Sequence, residues 1–190
     1  MRIIAGEFRG RKLLGPVGQV TRPITDRVKQ SLFDIITPQI PGATVCDLFC
    51  GTGSMGLECI SRGADHVSFF DADRSAIEGL KKNIATLGVN ERCTVVAGDV
   101  FKSSSSRRAR DAKIALVFLD PPYRLVRERS QEIQQLAARL SAELSPEGLL
   151  IFRHDSADEL LLPPLRLVDQ RDYGGMRIDF LVRASVCSGI

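Results

Sequence analysis

At 190 residues the chain is long enough for one well-filled α/β domain and too short for two. A hydrophobic share of 44% and a charged share of 26% are ordinary for a protein in water, and no apolar run reaches the roughly 20 residues of a membrane-crossing helix. The net charge of +3 is modest but uneven: residues 1–30 hold seven basic side chains (Arg2, Arg9, Arg11, Lys12, Arg22, Arg27, Lys29) against Glu7 and Asp26, an electrostatic footprint for a polyanion.

Residues 2–14, RIIAGEFRGRKLL, predict two short strands around a turn near Gly6 or Gly10, with Arg9, Arg11 and Lys12 on the turn. Gly15 to Pro23 reads as a loop. Thr25 or Asp26 then caps a helix to about Ile36, with Val28, Leu32, Ile35 and Ile36 on one face, and Pro38 and Pro41 end it. Residues 44–56, TVCDLFCGTGSMG, are an apolar strand, an acid, a glycine-rich turn and the start of a helix from Ser54 to Arg62. Gly51, Gly53 and Gly56 fit G-x-G-x-x-G, the spacing that lets a backbone turn tightly and approach a ligand. That spacing alone would also suit a dinucleotide enzyme.

HVSFFD at 66–71 is a second strand, and Asp73 or Ser75 caps a helix to about Leu87. A third strand, 93–98, ends at Gly98-Asp99. Residues 102–113, with four serines and Arg107, Arg108 and Arg110, read as a mobile loop or short polar helix. A fourth strand over 113–120 is apolar almost throughout, as a buried parallel strand should be, and leads into Asp120-Pro121-Pro122-Tyr123. A charged helix over 126–144, a turn at Pro146-Glu147-Gly148, a fifth strand GLLIFRH and a short helix over 156–161 follow. Residues 166–173 and 176–184 then pair across Gly174-Gly175, a two-residue hairpin signal.

Strands alternating with helices predict an α/β fold with a doubly wound, mostly parallel sheet. The closing antiparallel hairpin departs from a dinucleotide-binding domain and resembles the class I S-adenosylmethionine-dependent methyltransferases, which implies a seven-stranded sheet. Residues 1–37, a small β-hairpin plus helix, are expected as an RNA-binding appendage, residues 38–185 as the methyltransferase domain and 186–190 as a tail.

In such a sheet, ligands bind outside the carboxyl ends of the strands near the topological switch. Asp47, the Gly51–Gly53 turn, Asp71, Asp99 and Asp120 all map to strand ends. Asp71 lies 20 residues beyond Gly51, the spacing of an acid that receives ribose hydroxyls, while Asp73 competes for that role but suits a helix cap. Asp99 is placed for an adenine amino group, with Phe70, Ala72 and Val100 able to flank the ring or to be plain core. The glycine turn leaves a helix N-terminus open to a carboxylate such as that of methionine.

The DPPY stretch suits a different task. A nucleobase amino group is a poor nucleophile because its lone pair is delocalised into the ring. Asp120 and the backbone carbonyl of Pro121 can each accept one amino hydrogen and aim that lone pair. Pro121 also has no competing N–H and fixes the turn, and Tyr123 can stack on a base drawn out of its helix. A methyl sulfonium is already activated, so no metal is expected. The five cysteines (Cys46, Cys50, Cys59, Cys93, Cys187) show no C-x-x-C pair and read as reduced core residues of a cytoplasmic protein. N-terminal MRIIAGEFRGRKL lacks the apolar stretch of a secretory signal, and His66 and His154 have no catalytic setting.

FRGRKL at 8–13, RPITDRVKQSLFDII at 22–36, DLFCGTGSMGLECISRGA at 47–64 and DPPY at 120–123 together resemble the RsmD family, from about Arg2 to Arg183. Those are bacterial 16S ribosomal RNA guanine-N2 methyltransferases. The resemblance implies S-adenosyl-L-methionine as cofactor and a guanine of 16S ribosomal RNA, within a small-subunit assembly intermediate, as target of a monomeric enzyme. Arg9, Arg11, Lys12, Arg22 and Arg27 are then the expected RNA contacts. DPPY alone also fits an adenine-N6 or other amino methyltransferase acting on DNA or another RNA. A nicotinamide-dependent oxidoreductase using GTGSMG for phosphate would leave DPPY, Asp47 and the closing hairpin unexplained.

Overall fold

The computed structural model describes residues 1–15, 24–103 and 113–184. In chain order it runs α1 (Asp26–Ile36), β1 (Thr44–Leu48), α2 (Ser54–Ser61), β2 (His66–Asp71), α3 (Arg74–Leu87), β3 (Cys93–Ala97), β4 (Ile114–Leu119), α4 (Tyr123–Glu128), α5 (Ser130–Glu143), β5 (Leu144–Asp155), β6 (Leu165–Tyr173) and β7 (Met176–Arg183). The strands make one seven-stranded sheet ordered β3-β2-β1-β4-β5-β7-β6. The first five are parallel, while β7 runs antiparallel to both β5 and β6. The chain builds outward from β1 to β3, returns, and lays β4 on the other side of β1. The topological switch therefore lies between β1 and β4, where a ligand finds a crevice at the strands' carboxyl ends.

Each sheet face has its own core. Leu32, Phe33 and Ile36 of α1 pack with Leu57 and Ile60 of α2 and Ile77, Leu80 and Ile84 of α3 on one face. Ile133, Leu136 and Leu140 of α5 cover Cys46, Val117 and Leu150 on the other. Burying both faces explains why β4 is apolar nearly throughout. Local chemistry sets the helix starts. Thr25 accepts the Val28 amide at the head of α1, and Asp73 accepts the Ala76 amide at the head of α3.

Residues on both sides of the expected 37/38 boundary share one core: Ile3, Leu13 and Phe33 are buried with Val45 and Phe118. The expected N-terminal pair of strands is a short, curled antiparallel hairpin: Arg2 bridges Lys12, and the amides of Ile3, Gly10 and Leu13 donate across it to the carbonyls of Arg11, Ile3 and Met1. Four other amides of the segment go across to α2. The amides of Ile4 and Ala5 donate to the Glu58 carboxylate, and those of Glu7 and Phe8 donate to Ser61. Gly6 packs so closely on the Ser61 carbonyl, at φ +82, that a Cβ would collide with it.

Three other expectations change. The helix over 126–144 starts earlier, at Tyr123, and breaks at Arg129, whose φ of −127 is not helical and whose guanidinium lies 4.0 Å over the Phe101 ring. The turn at 146–148 lies inside β5 as an irregularity, where Gly148 approaches the Ile114 carbonyl and the register with β4 jumps. Residues 156–161 form no helix, because Asp155 takes the amides of Ala157 and Asp158 in a tight turn that Arg127 clamps from α4. The loop over 16–23, Arg107, Arg108 and Arg110, Cys187 and the tail 186–190 lie outside the described residues.

Candidate active site at the sheet switch point

The turn after β1 is built on backbone that few side chains tolerate. Gly51 and Gly53 hold φ of +54 and +84, and Phe49 holds +58 although it carries a side chain. A non-glycine residue there stores on the order of 1–3 kcal/mol of strain, which neighbours must hold in place. The Phe49 ring is set edge-on to Phe101, centroids 5.6 Å apart, and the Cys50 amide bonds the Phe70 carbonyl. Above Gly51 no atom of the described residues lies within 4 Å of where a Cβ would stand, so its backbone faces open space among them. Gly56 serves packing: a Cβ on it would collide with Phe69 and Val67 of β2.

Two of the strand-end acids organise this turn. Asp71 Oδ2 accepts the Gly51 amide at 2.7 Å and its Oδ1 accepts the Asp73 amide at 2.8 Å. Asp47 is buried, and its Oδ2 accepts the Gly56 amide at 2.9 Å. The N-terminus of α2 is thus already partly filled by a carboxylate of the chain, and is not fully open as the glycine spacing suggested. Burial pushes the Asp47 carboxyl up to about 7, and the charges of Asp120 and Asp71 add to this while the Gly56 amide pulls against it.

The remaining expected residues spread along the same edge. Ala72 is exposed just past β2. Asp99 follows β3 and accepts the Phe101 amide at 3.0 Å. Val100 is buried, lining with Phe70 and Leu48 a cavity of about 310 Å3 between the sheet and α5. Asp120 follows β4, its amide reaching the Leu48 carbonyl across the switch point. Pro121 is buried, Pro122 precedes α4 with extended backbone, and Tyr123 opens that helix. Arg9, Arg11, Lys12 and Arg27 are exposed, and Arg22 lies outside the described residues.

Two features escaped the sequence reading. Arg153 of β5 donates through Nε to Asp120 Oδ1 at 2.5 Å. Burial pushes the Asp120 carboxyl above the ordinary range, and Arg153 pulls against it. The only available signal was a cation closing an apolar strand. The second is a buried ion pair, Lys29 to Glu58 at 2.9 Å, with Arg62 on the second carboxylate oxygen. Lys29 Nζ also donates to the Arg2 carbonyl and to Ser54 Oγ, the first residue of α2. Burial lowers the Lys29 pKa, opposed by Glu58.

Chemically, this edge offers an open glycine turn, acids at four neighbouring strand ends and a carboxylate beside two prolines. Among the described residues no group of three His, Cys, Asp or Glu side chains is arranged to hold a metal ion, and no helix is long and apolar enough to cross a membrane.

Comparison with known proteins shows the family and the fold. The model of the family described as conserved hypothetical protein 95 matches residues 1–182. Ribosomal RNA small subunit methyltransferase D of Haemophilus influenzae is 34% identical over 170 residues, covering 86% of this chain and 83% of that one. The solved structure of the yhhF protein of Escherichia coli superposes with a TM-score of 0.80 at 32% identity, covering 96% of this chain and 97% of that one. An RNA methyltransferase from Salinibacter ruber in complex with S-adenosyl-L-homocysteine shares the fold, with a TM-score of 0.64 at 15% identity over 88% of this chain and 98% of that one. With its seven-stranded sheet, closing hairpin and match over nearly the full length, the chain belongs to the conserved hypothetical protein 95 family, the RsmD-type class I methyltransferases.

Proposed function

We propose that the chain transfers a methyl group from S-adenosyl-L-methionine to the exocyclic N2 amino group of a guanine in 16S ribosomal RNA of the small subunit. The observation that carries this is the position of Asp120, at the switch point beside the glycine turn and directly ahead of two prolines. The open space over Gly51, the left-handed turn and the acids of β1 and β2 fit an adenosyl cofactor with a charged amino-acid end. When bound, that cofactor supplies a methyl group activated by a positive sulfur.

The chain's own residues do the rest. The Gly51–Gly53 backbone and Asp47 face the amino-acid end, Asp71 keeps lone pairs for ribose hydroxyls, and Ala72, Asp99 and Val100 border the adenine. Asp120 and the Pro121 carbonyl accept the two amino hydrogens of the target base, which turns the nitrogen lone pair toward the methyl group. With the cofactor bound, methyl transfer to that nitrogen would leave the electron pair of the broken S–C bond on sulfur. The nitrogen then sheds a proton through Asp120 to solvent. Burial raises the Asp120 carboxyl, which makes it a better proton acceptor than an exposed aspartate. Tyr123 stacks on the extruded base.

The substrate assignment rests on the exposed Arg9, Arg11, Lys12 and Arg27 and on the name of the Haemophilus relative. Phosphate contacts from these side chains would hold ribosomal RNA within a small-subunit assembly intermediate, with the enzyme acting as a monomer in the cytoplasm. Mass mapping of modified nucleosides in 16S ribosomal RNA, with and without the protein, tests this. One N2-methylguanosine should disappear. Loss of an N6-methyladenosine instead would favour the adenine reading, and an unchanged 16S pattern would reject the RNA assignment.

A further inference from the structure

Phe152 pairs with Leu119 at the end of β4, so the next residue of β5, Arg153, stands beside Asp120. The two side chains are largely withdrawn from water, 15% and 22% exposed. An Arg–carboxylate pair commonly forms a fork in which two N–H groups meet two oxygens. Here the contact is single, from Nε to Oδ1. Among the described residues Nη1 meets only Met176 Sδ, at 3.8 Å, Nη2 makes no hydrogen bond, and Asp120 Oδ2 accepts none. One carboxylate oxygen is taken and the other is left for a substrate.

We propose that Arg153 is a positioning residue for methyl transfer, holding the Asp120 carboxylate by Oδ1 so that Oδ2 alone faces the target amino group. The proposal rests on the reading of Asp120 as the amino-hydrogen acceptor. The surroundings explain why an arginine is needed. Asp47 from β1 acts on both members of the pair and Tyr123 from α4 acts on Arg153, with Asp71 of β2 and Lys29 of α1 beyond Asp47. Without Arg153, the half-buried carboxylate would lie beside another acid with no adjacent cation. It would rotate freely and hold its proton to higher pH.

The test is the pH profile of kcat for the full chain with S-adenosyl-L-methionine and unmethylated small subunits. Arg153→Gln should lower kcat at pH 7 by about a hundredfold, the scale of a misplaced catalytic group. The acid limb of the profile should move to higher pH, with activity partly recovered near pH 9, while cofactor affinity stays near wild type. Arg153→Lys should return the acid limb toward wild type, because the charge is restored. A wild-type profile for Arg153→Gln would overturn the proposal, as would an equal loss at every pH or a rise in kcat. Should Arg153→Gln not fold, the profile of Arg153→Lys decides, and a wild-type kcat with an unmoved limb in Arg153→Met would equally overturn it. Asp120→Asn separates the two levels. If it keeps turnover, the reading of Asp120 fails; if it is dead while Arg153→Gln is normal, only the role of Arg153 fails.

Discussion

Asp71 and Asp73 lie two residues apart at the end of β2, and the structure divides their work. Asp71 accepts the Gly51 amide with one oxygen and the Asp73 amide with the other, while Asp73 caps α3 through the Ala76 amide. Asp71→Ala should therefore do more than remove a ribose acceptor. A hydrogen bond to a charged group is worth about 1.5–3 kcal/mol, and the loss of the Gly51 bond frees the one backbone segment that must stay open and fixed. Adding a ribose contact of about 1–3 kcal/mol gives a combined cost of roughly 2.5–6 kcal/mol in cofactor affinity. That corresponds to about two to four powers of ten in Kd, on the scale of about 1.4 kcal/mol per tenfold.

Isothermal calorimetry with S-adenosyl-L-methionine measures this directly. Asp71→Asn should fall between, because one amide oxygen can satisfy either Gly51 or Asp73 but not both. Asp73→Ala should lower stability by about 1 kcal/mol through the lost cap and leave Kd within a few-fold. Unchanged affinity in Asp71→Ala, or a larger loss in Asp73→Ala, would refute the division of roles.

The triple change Arg9→Ala, Arg11→Ala, Lys12→Ala should flatten the salt dependence of RNA binding by roughly two units of slope and leave cofactor affinity intact; parallel salt plots for mutant and wild type would remove the curled segment as a phosphate clamp. Asp47 titrates near 7 in the fold against an ordinary 3.8, so the native state keeps a proton that the unfolded chain loses, and stability should fall as pH rises from about 4 to 7. Asp47→Asn keeps an acceptor for Gly56 without the charge, and urea unfolding should show it gaining on wild type across that window by at most about 4 kcal/mol. Glu58→Gln should cost about 3–5 kcal/mol by leaving Lys29 buried without its counter-charge, lowering the melting temperature by on the order of 10 °C.

The parts of the molecule legible in the sequence are those set by neighbouring residues. Gly51 and Gly53 announce left-handed backbone, the apolar run at 114–119 announces a strand covered on both faces, and Gly174-Gly175 announces a tight hairpin. Asp47, Asp71, Asp99 and Asp120 were readable as strand-end acids for the same reason. Their partners were not. Nothing local tells Asp47 that it will accept the Gly56 amide, or Asp120 that a cation 33 residues later will reach it. The N-terminal hairpin was legible in its glycines and alternation, but its anchor was not: Glu58, which accepts the Ile4 amide, lies 54 residues beyond it. The break at Arg129 has the same origin, since the Phe101 ring that holds its guanidinium belongs to the β3 edge.

These long-range partners also determine how the basic segment relates to the reactive edge. A short, glycine-rich, positively charged N-terminus could have been a tethered arm, ordered only on RNA. Four of its amides instead end on Glu58 and Ser61 of α2, and Leu14 is held by Asn83 of α3, whose side chain also bonds the Thr52 carbonyl in the glycine turn. Lys29 closes the link from the other side, joining the Arg2 carbonyl, Glu58 and Ser54 at the head of α2. A buried charge cannot leave such a network without a cost of several kcal/mol, so segment and turn move as one body. Arg9, Arg11 and Lys12 therefore sit at a set distance from Asp120, and on the proposed function a nucleic acid gripped there by its phosphates would meet the edge at Asp120 without first ordering the protein.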